Sequence, residues 1–133
     1  MAGGVKLPAI AMDRLKNRSD FLRAARGVRR VAAGVTLEVC VTPSSWAKPQ
    51  GLRVGFTASK KIGMAVERNR ARRRLKAAAA QMLPLYGLPG NDYVLVARRE
   101  TLIRPFDGLL ADLASVLHAA HQKLGRSKAG DSL

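Results

Sequence analysis

The residues of this sequence that are most able to do chemistry form a dense group of cations. Residues 59–76 hold eight Lys or Arg side chains and one acid, so seven of the chain's net +15 charges lie within 18 residues. The planar guanidinium of arginine can hold two phosphate oxygens at once and keeps its charge at cellular pH. A helix face that only meets solvent usually mixes acids among its cations, and here Glu67 is the only acid. The segment therefore indicates that the protein binds a polyanion and is not merely basic. The pattern favours nucleic acid over a membrane surface as this partner.

The spacing of residues 64–83 predicts a helix that ends near Pro84. Its small apolar side chains fall on one side, and several polar ones share a separate arc of about 100°. The apolar positions are Ala71, Leu75, Ala78, Ala79 and Met82, and the polar ones are Asn69, Arg72, Arg73 and Lys76. Asn69 could order a loop, orient an arginine or bind a hydrated ion. Such a helix packs on a sheet while it presents charge to a partner.

A second basic group surrounds the first predicted helix, residues 17–27. It consists of Arg14, Lys16, Arg18, Arg23, Arg26, Arg29 and Arg30. Phe21 lies inside this group, where an aromatic ring can stack on an unpaired base or can tie the helix to the core. The two roles do not exclude each other, and the sequence leaves both open.

Catalytic chemistry has little support in the remaining residues. The nine acids are scattered along the chain, whereas a magnesium-dependent nuclease needs clustered carboxylates. His118 and His121 are spaced to share an ion but lack an evident third ligand, and the single cysteine, Cys40, has no nucleophilic partner. The sequence thus predicts no catalytic residue and no metal site in the protein itself, which is expected to bind rather than to cut.

The pattern of elements predicts one α+β domain in the order α-β-β-α-β-α, with a small mixed sheet packed by helices. The predicted strands are residues 31–41, 52–58 and 92–98, and the last helix covers about 105–123. If the last two strands share the sheet, the helix between them makes them parallel. We expect a flexible leader at 1–12, the domain at 13–124 and a flexible polar tail at 125–133.

No run of about 18 apolar residues is present, and the first 12 residues are interrupted by Lys6 and Pro8. A lone cysteine also cannot form an internal disulfide. These features predict a cytoplasmic protein without a membrane partner.

Residues 52–76 carry a specific motif. The stretch LRVGFTASKKIGMAVERNRARRRLK resembles the signature of the bacterial ribonuclease P protein subunit, in which a strand and a basic loop precede an "RN" helix. The resemblance extends in element order from about Leu15 to Leu124. It implies a ribosomal-protein-S5-domain-2-like fold whose β-α-β crossover is left-handed, against the usual rule.

By this resemblance, the protein assists an RNA subunit, whose bound Mg²⁺ serves the removal of 5′ leaders from precursor tRNA. The implied partners are ribonuclease P RNA and precursor tRNA, with no obligate protein partner. The loop and helix residues expected on the catalytic RNA are Lys60, Lys61, Arg68, Asn69, Arg70, Arg72, Arg73 and Lys76. A cleft for the leader is expected to include Phe21, Arg23 and Arg53. Ala25 stands where relatives often carry a second aromatic, so electrostatics should matter more than stacking here.

Two other interpretations fit a small basic α+β protein. A ribosomal or other structural RNA-binding protein would bind RNA without a role in tRNA 5′ maturation. A DNA-binding module would use the basic helix in the major groove, but no helix-turn-helix or dimerising segment supports it.

Overall fold

The computed structural model describes residues 11–46 and 51–131. Five strands and three α-helices follow one another in the order β1, α1, β2, β3, β4, α2, β5, α3. The strands are β1 Ala11–Arg14, β2 Val28–Val31, β3 Val35–Val41, β4 Gly51–Thr57 and β5 Asn91–Ala97. The helices are α1 Arg18–Ala25, α2 Ala65–Tyr86 and α3 Phe106–Asp131, and short 3-10 turns cover Lys60–Ile62 and Arg99–Thr101.

The strands form one mixed sheet in the order β1-β4-β5-β3-β2. β4 pairs in parallel with both β1 and β5, while β3 runs antiparallel to β5 and to β2. The α+β class and the predicted parallel pairing across the central helix are therefore confirmed. The hand of the crossover from β4 to β5 stays a prediction.

One face of the sheet carries the main core. Alternating side chains of the three central strands, among them Leu37, Val54 and Leu95, pack against α2 and α3. From α2, the buried positions Ala71, Leu75, Ala78 and Ala79 match the predicted apolar stripe, with Leu83 buried and Met82 only half-buried. The small alanines let the helix approach the sheet closely, while Arg70 and Arg73 lie on its exposed side.

The opposite face of the sheet carries the eight-residue helix α1. A small cluster of Leu15, Ala24 and Val94 joins them, with Phe21 and Cys40 packed at its margin. Because α1 is short, it leaves part of this face open beside it. One face of the sheet thus carries the main apolar core, and the other face carries a smaller cluster with more exposed surface.

The single strand predicted at residues 31–41 is two strands joined by a tight turn. Val28–Val31 pairs antiparallel with β3, and the Ala32 N–H donates to the Val35 carbonyl at 2.9 Å. Gly34 in the turn donates its N–H to the Asp112 carboxylate at 2.9 Å, which fixes the hairpin on α3. The prediction was wrong here because Arg29 and Arg30 were interpreted as the exit of a helix, while a strand at a sheet edge tolerates such charges.

Other boundaries differ for identifiable reasons. β1 was not predicted, because its four residues depend on pairing with β4 and carry no period of their own. α2 continues past Pro84, whose missing N–H costs one bond in the last turn, and the helix ends where Gly87 donates to the Leu83 carbonyl at 2.7 Å. α3 begins one residue after Pro105 and includes most of the predicted polar tail. The predicted leader at 1–12 lies almost entirely outside the described residues, and the division into leader, domain and tail stays a prediction.

Among residues 11–46 and 51–131, no helix has the length and apolar character needed to span a bilayer.

A buried tyrosine joins the end of α3 to the sheet. Tyr93 is fully buried, and its hydroxyl accepts the Leu88 N–H at 2.9 Å and contacts His121 Nε2 at 2.7 Å. Burial raises the pKa of Tyr93 to about 12, so the hydroxyl stays protonated and can donate to His121 when Nε2 of the ring carries no proton. Burial, assisted by the neighbouring His118, lowers the pKa of His121 below its usual value of 6.5. The neutral imidazole is therefore the form that fits the fold.

We expect His121 to make stability depend on pH. Because its pKa is lower in the folded chain, the unfolded chain binds more protons as the pH falls through 6.5, and the free energy of unfolding decreases. In urea unfolding at pH 7.5 and 5.5, His121→Gln should lose much less stability between the two pH values than the parent chain does. His118→Gln, on the exposed side of α3, should keep most of the parent's dependence. Equal dependence in the parent and in His121→Gln would contradict this prediction.

Candidate nucleic-acid interface

The basic loop follows β4 and is held in place by three features. Ile62 is buried under it, and Gly63 has φ 146°, a backbone conformation that favours glycine. A Cβ on Gly63 would also lie 2.3 Å from the Glu67 carboxylate, which accepts the Met64 N–H at 3.1 Å as α2 begins. Lys60 and Lys61 are consequently fixed in backbone position with their side chains exposed.

The helix α2 presents the predicted cations at different depths. Arg70 and Arg73 are exposed, while Arg68, Arg72 and Lys76 are half-buried. Asn69 accepts a hydrogen bond from Arg72 at 2.7 Å, so of its three predicted roles the structure shows that of orienting an arginine. The structure places Lys60 and Lys61 on the basic loop and the other six predicted residues on the N-terminal half of α2.

Arg98 and Arg99 lie beside the basic loop, and the sequence analysis did not place them there. They follow β5, and since β4 and β5 are parallel, the two strands end at the same edge of the sheet. Arg99 Nε donates to the Lys61 carbonyl at 3.4 Å, and the two arginines line a cavity of about 380 Å³ with Lys61. The predicted parallel pairing was the signal that could have placed them there.

Arg74 and Arg104, in contrast to these arginines, are engaged in contacts within the protein. Arg74 donates to the Arg104 carbonyl, and the Arg104 guanidinium binds both carboxylate oxygens of Asp112, at 2.7 and 3.0 Å. The two arginines thereby connect α2 to the start of α3.

On the other face of the sheet, Phe21 lies directly over a glycine of β4. A Cβ added to Gly55 would come within 2.5 Å of the Phe21 ring, so the ring rests on bare backbone. The side chain is half-buried, packed against the α1 cluster and open on its remaining surface. Both predicted roles of Phe21, the core contact and an accessible ring, are therefore compatible with its position.

Arg53, on the same face of β4, is the centre of a buried charge network. It binds Asp92 through Nε at 2.8 Å and Nη2 at 2.6 Å, and Asp20 through Nη2 at 3.2 Å. Arg23 reaches Asp20 at 2.9 Å, and Thr42 donates its hydroxyl to Asp92 at 2.8 Å. The network joins α1 to three strands or strand ends, so it fixes how α1 sits above the sheet.

Electrostatics in the network follow from this geometry. Burial works to raise the pKa of the Asp20 carboxyl, but Arg23 and Arg53 together outweigh it and hold the pKa below its usual value of 3.8. Hydrogen bonding to Asp92 raises the pKa of Arg53. The Arg53 side chain is only 9% exposed, whereas that of Arg23 is 41% exposed. Arg53 thus lies beneath the predicted cleft with its donors engaged, and Arg23 lies at its surface.

Trp46 is a part of this region that sequence reasoning missed. The Arg53 guanidinium carbon lies 4.9 Å from the centre of its indole ring, a cation–π geometry. Trp46 belongs to a turn-rich connection without periodicity, and no residue pattern indicates that it returns to β4.

No three His, Cys, Asp or Glu side chains come together to hold a metal ion in the part of the chain that the structure describes. The carboxylates described above have other tasks: Asp20 and Asp92 bind Arg53, Asp112 binds Arg104, and Glu67 caps α2.

The fold and this surface define a class: a small α+β protein with a basic helix beside a sheet edge, built to bind nucleic acid. The family model for ribonuclease P matches residues 11–121. This chain belongs to the ribonuclease P protein family. Its function is that of the protein part of this tRNA-processing ribonuclease, as the motif at 52–76 predicted.

Individual relatives agree over most of the chain. It is 46% identical over 127 residues to the ribonuclease P protein component of Paramagnetospirillum magneticum, covering 93% of this chain and 96% of the relative. It is 53% identical over 108 residues to that of Ruegeria pomeroyi, covering 80% and 85%. The fold is similar to the RNase P proteins of Staphylococcus aureus (TM-score 0.64, 23% identity, 80% and 94% covered) and Thermotoga maritima (0.63, 20%, 79% and 94%).

The burial of Arg53 predicts a large difference between two arginines of one network. Arg53→Gln removes the nearer charge partner of the buried Asp92 and leaves only Arg23, at 3.8 Å, so it should lower the free energy of unfolding by about 3–5 kcal/mol. Arg23→Gln removes an arginine whose side chain is 41% exposed and should cost about 1 kcal/mol or less. Urea unfolding of both variants at pH 7 measures this contrast, and similar losses in the two would mean that Arg53 is less buried than described.

Proposed function

We propose that the basic loop and α2 bind the ribonuclease P RNA. The observation that carries this is a group of exposed cations on the loop and on α2, Lys60, Lys61, Arg70 and Arg73, with Arg99 adjoining the loop. The segment's only acid, Glu67, contacts the backbone that begins α2. The surface therefore offers phosphates a set of cations close enough to act together.

The face of the sheet beside α1 is proposed to hold the single-stranded 5′ leader of precursor tRNA. Phe21 offers a ring beside the sheet, and Arg23 offers a partly exposed guanidinium next to it. Arg53 acts as a positioning residue, since it orients α1 and its donors are engaged by Asp92 and Asp20. Unpaired bases can stack on such a ring while cations contact the backbone between them.

The phosphodiester hydrolysis is assigned to the RNA subunit and its bound Mg²⁺. Magnesium needs oxygen ligands that are available to it, and the carboxylates of the described site are engaged in ion pairs or in capping α2. The protein alone is expected to be inactive. We place this activity in the cytoplasm, where precursor tRNA is processed.

Reconstitution tests the proposal. The purified chain is mixed with a bacterial ribonuclease P RNA, and precursor-tRNA cleavage is measured at low magnesium and moderate salt. Cleavage at the mature 5′ end by the mixture, with neither component active alone, supports the proposal. A folded protein that leaves an active RNA unassisted would favour a structural RNA-binding role, and cleavage by the protein alone would place the chemistry in the chain itself.

Loss of single cations from α2 should weaken assembly with the RNA. Arg72→Ala and Arg73→Ala should each reduce the affinity for the RNA subunit and lower the slope of log affinity against log salt by about one. Lys123→Ala, at an exposed position of α3, is the matched control and should change neither quantity. If both arginine variants assemble like the parent at every salt concentration, the RNA interface lies elsewhere.

Because Phe21 contacts Gly55, a substitution at Gly55 tests the role of Phe21 in the leader cleft. In Gly55→Ala the new methyl group occupies the position of the Phe21 ring and displaces it. The holoenzyme should then lose part of its preference for precursor over mature tRNA, while its assembly with the RNA subunit is unchanged. Gly125→Ala has open space around the added Cβ and serves as the control. An unchanged preference in Gly55→Ala would remove Phe21 from the leader site.

A further inference from the structure

A second cavity lies at the end of the α1 face, away from the basic loop. It measures about 360 Å³ and lies between β1, the start of α1 and the turn that carries Trp46. We name it the Trp46 pocket, with Asp13, Arg14, Lys16, Asn17, Trp46 and Arg53 among its lining residues. Its volume is within the range of about 300–1,000 Å³ that is typical of small-ligand sites.

The pocket is in line with the proposed leader cleft. Arg53, Gly55 and Thr57 share one face of β4, so the pocket at Arg53, the ring of Phe21 over Gly55 and the basic loop beyond Thr57 follow each other along one strand. At about 3.3 Å per residue, the pocket lies roughly 7 Å beyond Phe21. An RNA strand that runs from the basic loop past Phe21 would therefore reach the pocket next.

The distribution of charge around the Trp46 pocket determines which ligand groups it can accept. The inner wall holds the carboxylates of Asp13 and Asp20, and the charge of Arg53 is already balanced by Asp20 and Asp92. A phosphate is disfavoured there by its like charge. The cations Arg14 and Lys16 are exposed at the mouth, where phosphates on either side of an inserted group would lie.

The aromatic wall fits a base. The indole of Trp46 lines the pocket, and the Arg53 guanidinium beside it fixes its position at 4.9 Å. The side-chain amide of Asn17 lines the pocket and makes no capping hydrogen bond to α1, so it can accept a hydrogen bond from the amino group of a base edge. An unpaired nucleotide has both properties. Its planar base, which carries amino donors, would contact the aromatic wall, and its flanking phosphates would contact the cations at the mouth.

We propose that the Trp46 pocket is a nucleobase subsite, which takes one unpaired base of the RNA strand beyond the base that meets Phe21. This rests on the proposed leader cleft and extends it by one binding position. Trp46 supplies the contact surface for the base, and Arg14 and Lys16 bind the phosphates on either side.

Trp46 is the only tryptophan of the chain, so its emission reports on the pocket directly. The full-length protein is titrated with a short unpaired oligoribonucleotide, while anisotropy of an end-labelled copy reports total binding. We expect the emission of Trp46 to be quenched along the same binding curve. Binding by anisotropy with unchanged emission would overturn the proposal.

Variants give a second readout on the holoenzyme. Trp46→Leu should weaken binding of precursor tRNA about 5- to 150-fold, the range for one stacked base. The loss should appear only with leaders long enough to pass Phe21, and Trp46→Phe should restore most of it. Tyr86→Leu removes an aromatic side chain that is 51% exposed at the far end of α2 and should have no effect. Equal binding by the parent and Trp46→Leu at all leader lengths would overturn the proposal.

The subsite and the leader cleft can fail separately. If the holoenzyme prefers precursor tRNA but Trp46 reports nothing, the pocket proposal is wrong and the proposed function stands. If oligoribonucleotide quenches Trp46 but no preference for precursor tRNA exists, the pocket binds RNA and the leader assignment is wrong.

Discussion

The arrangement of the α1 face depends on one buried guanidinium. Arg53 is held by two carboxylates, Asp92 from β5 and Asp20 from α1, and it supports the ring of Trp46 on its face. Removing a charge from water is expensive, and only partners in good geometry offset that cost. α1 is too short to be fixed by apolar contacts alone, since only Asp20 and Ala24 of its eight residues are buried. Its orientation, and with it the position of Phe21, therefore follows from an ion network.

The two faces of the sheet illustrate how stability and binding are separated. The face under α2 and α3 is closed by a continuous apolar core, which supplies the folding free energy through burial. The α1 face combines a small apolar cluster with charged and half-exposed groups, Glu38 and Cys40 among them. Burial raises the pKa of Glu38, and the charge of Arg29 partly offsets this. Changes on this face can alter recognition while the core remains intact.

Sequence reasoning succeeded where one period or one connection determined the outcome. The apolar stripe of α2 and the parallel pairing of β4 and β5 were both visible in spacing and residue type. It failed where structure depends on distant partners: β1 exists only through β4, and the β2–β3 hairpin is fixed by Asp112. The role of Arg53 was hidden for the same reason, because its acidic partners are 33 and 39 residues away. A motif identifies such an arginine without showing whether it faces a ligand or the interior.

The single acid of the basic segment explains why its charge remains available. Glu67 could have reduced repulsion among the arginines through pairs four residues away, as solvated helices often do. Instead its carboxylate accepts the Met64 N–H and lies where a side chain on residue 63 would be, so it shapes the turn that begins α2. Asn69 orients Arg72 without neutralising it. The polar contacts of Glu67 and Asn69 therefore fix the positions of the backbone and of Arg72 without neutralising the cations. The positive charge remains available to RNA phosphates, whose binding is favoured by the release of counterions.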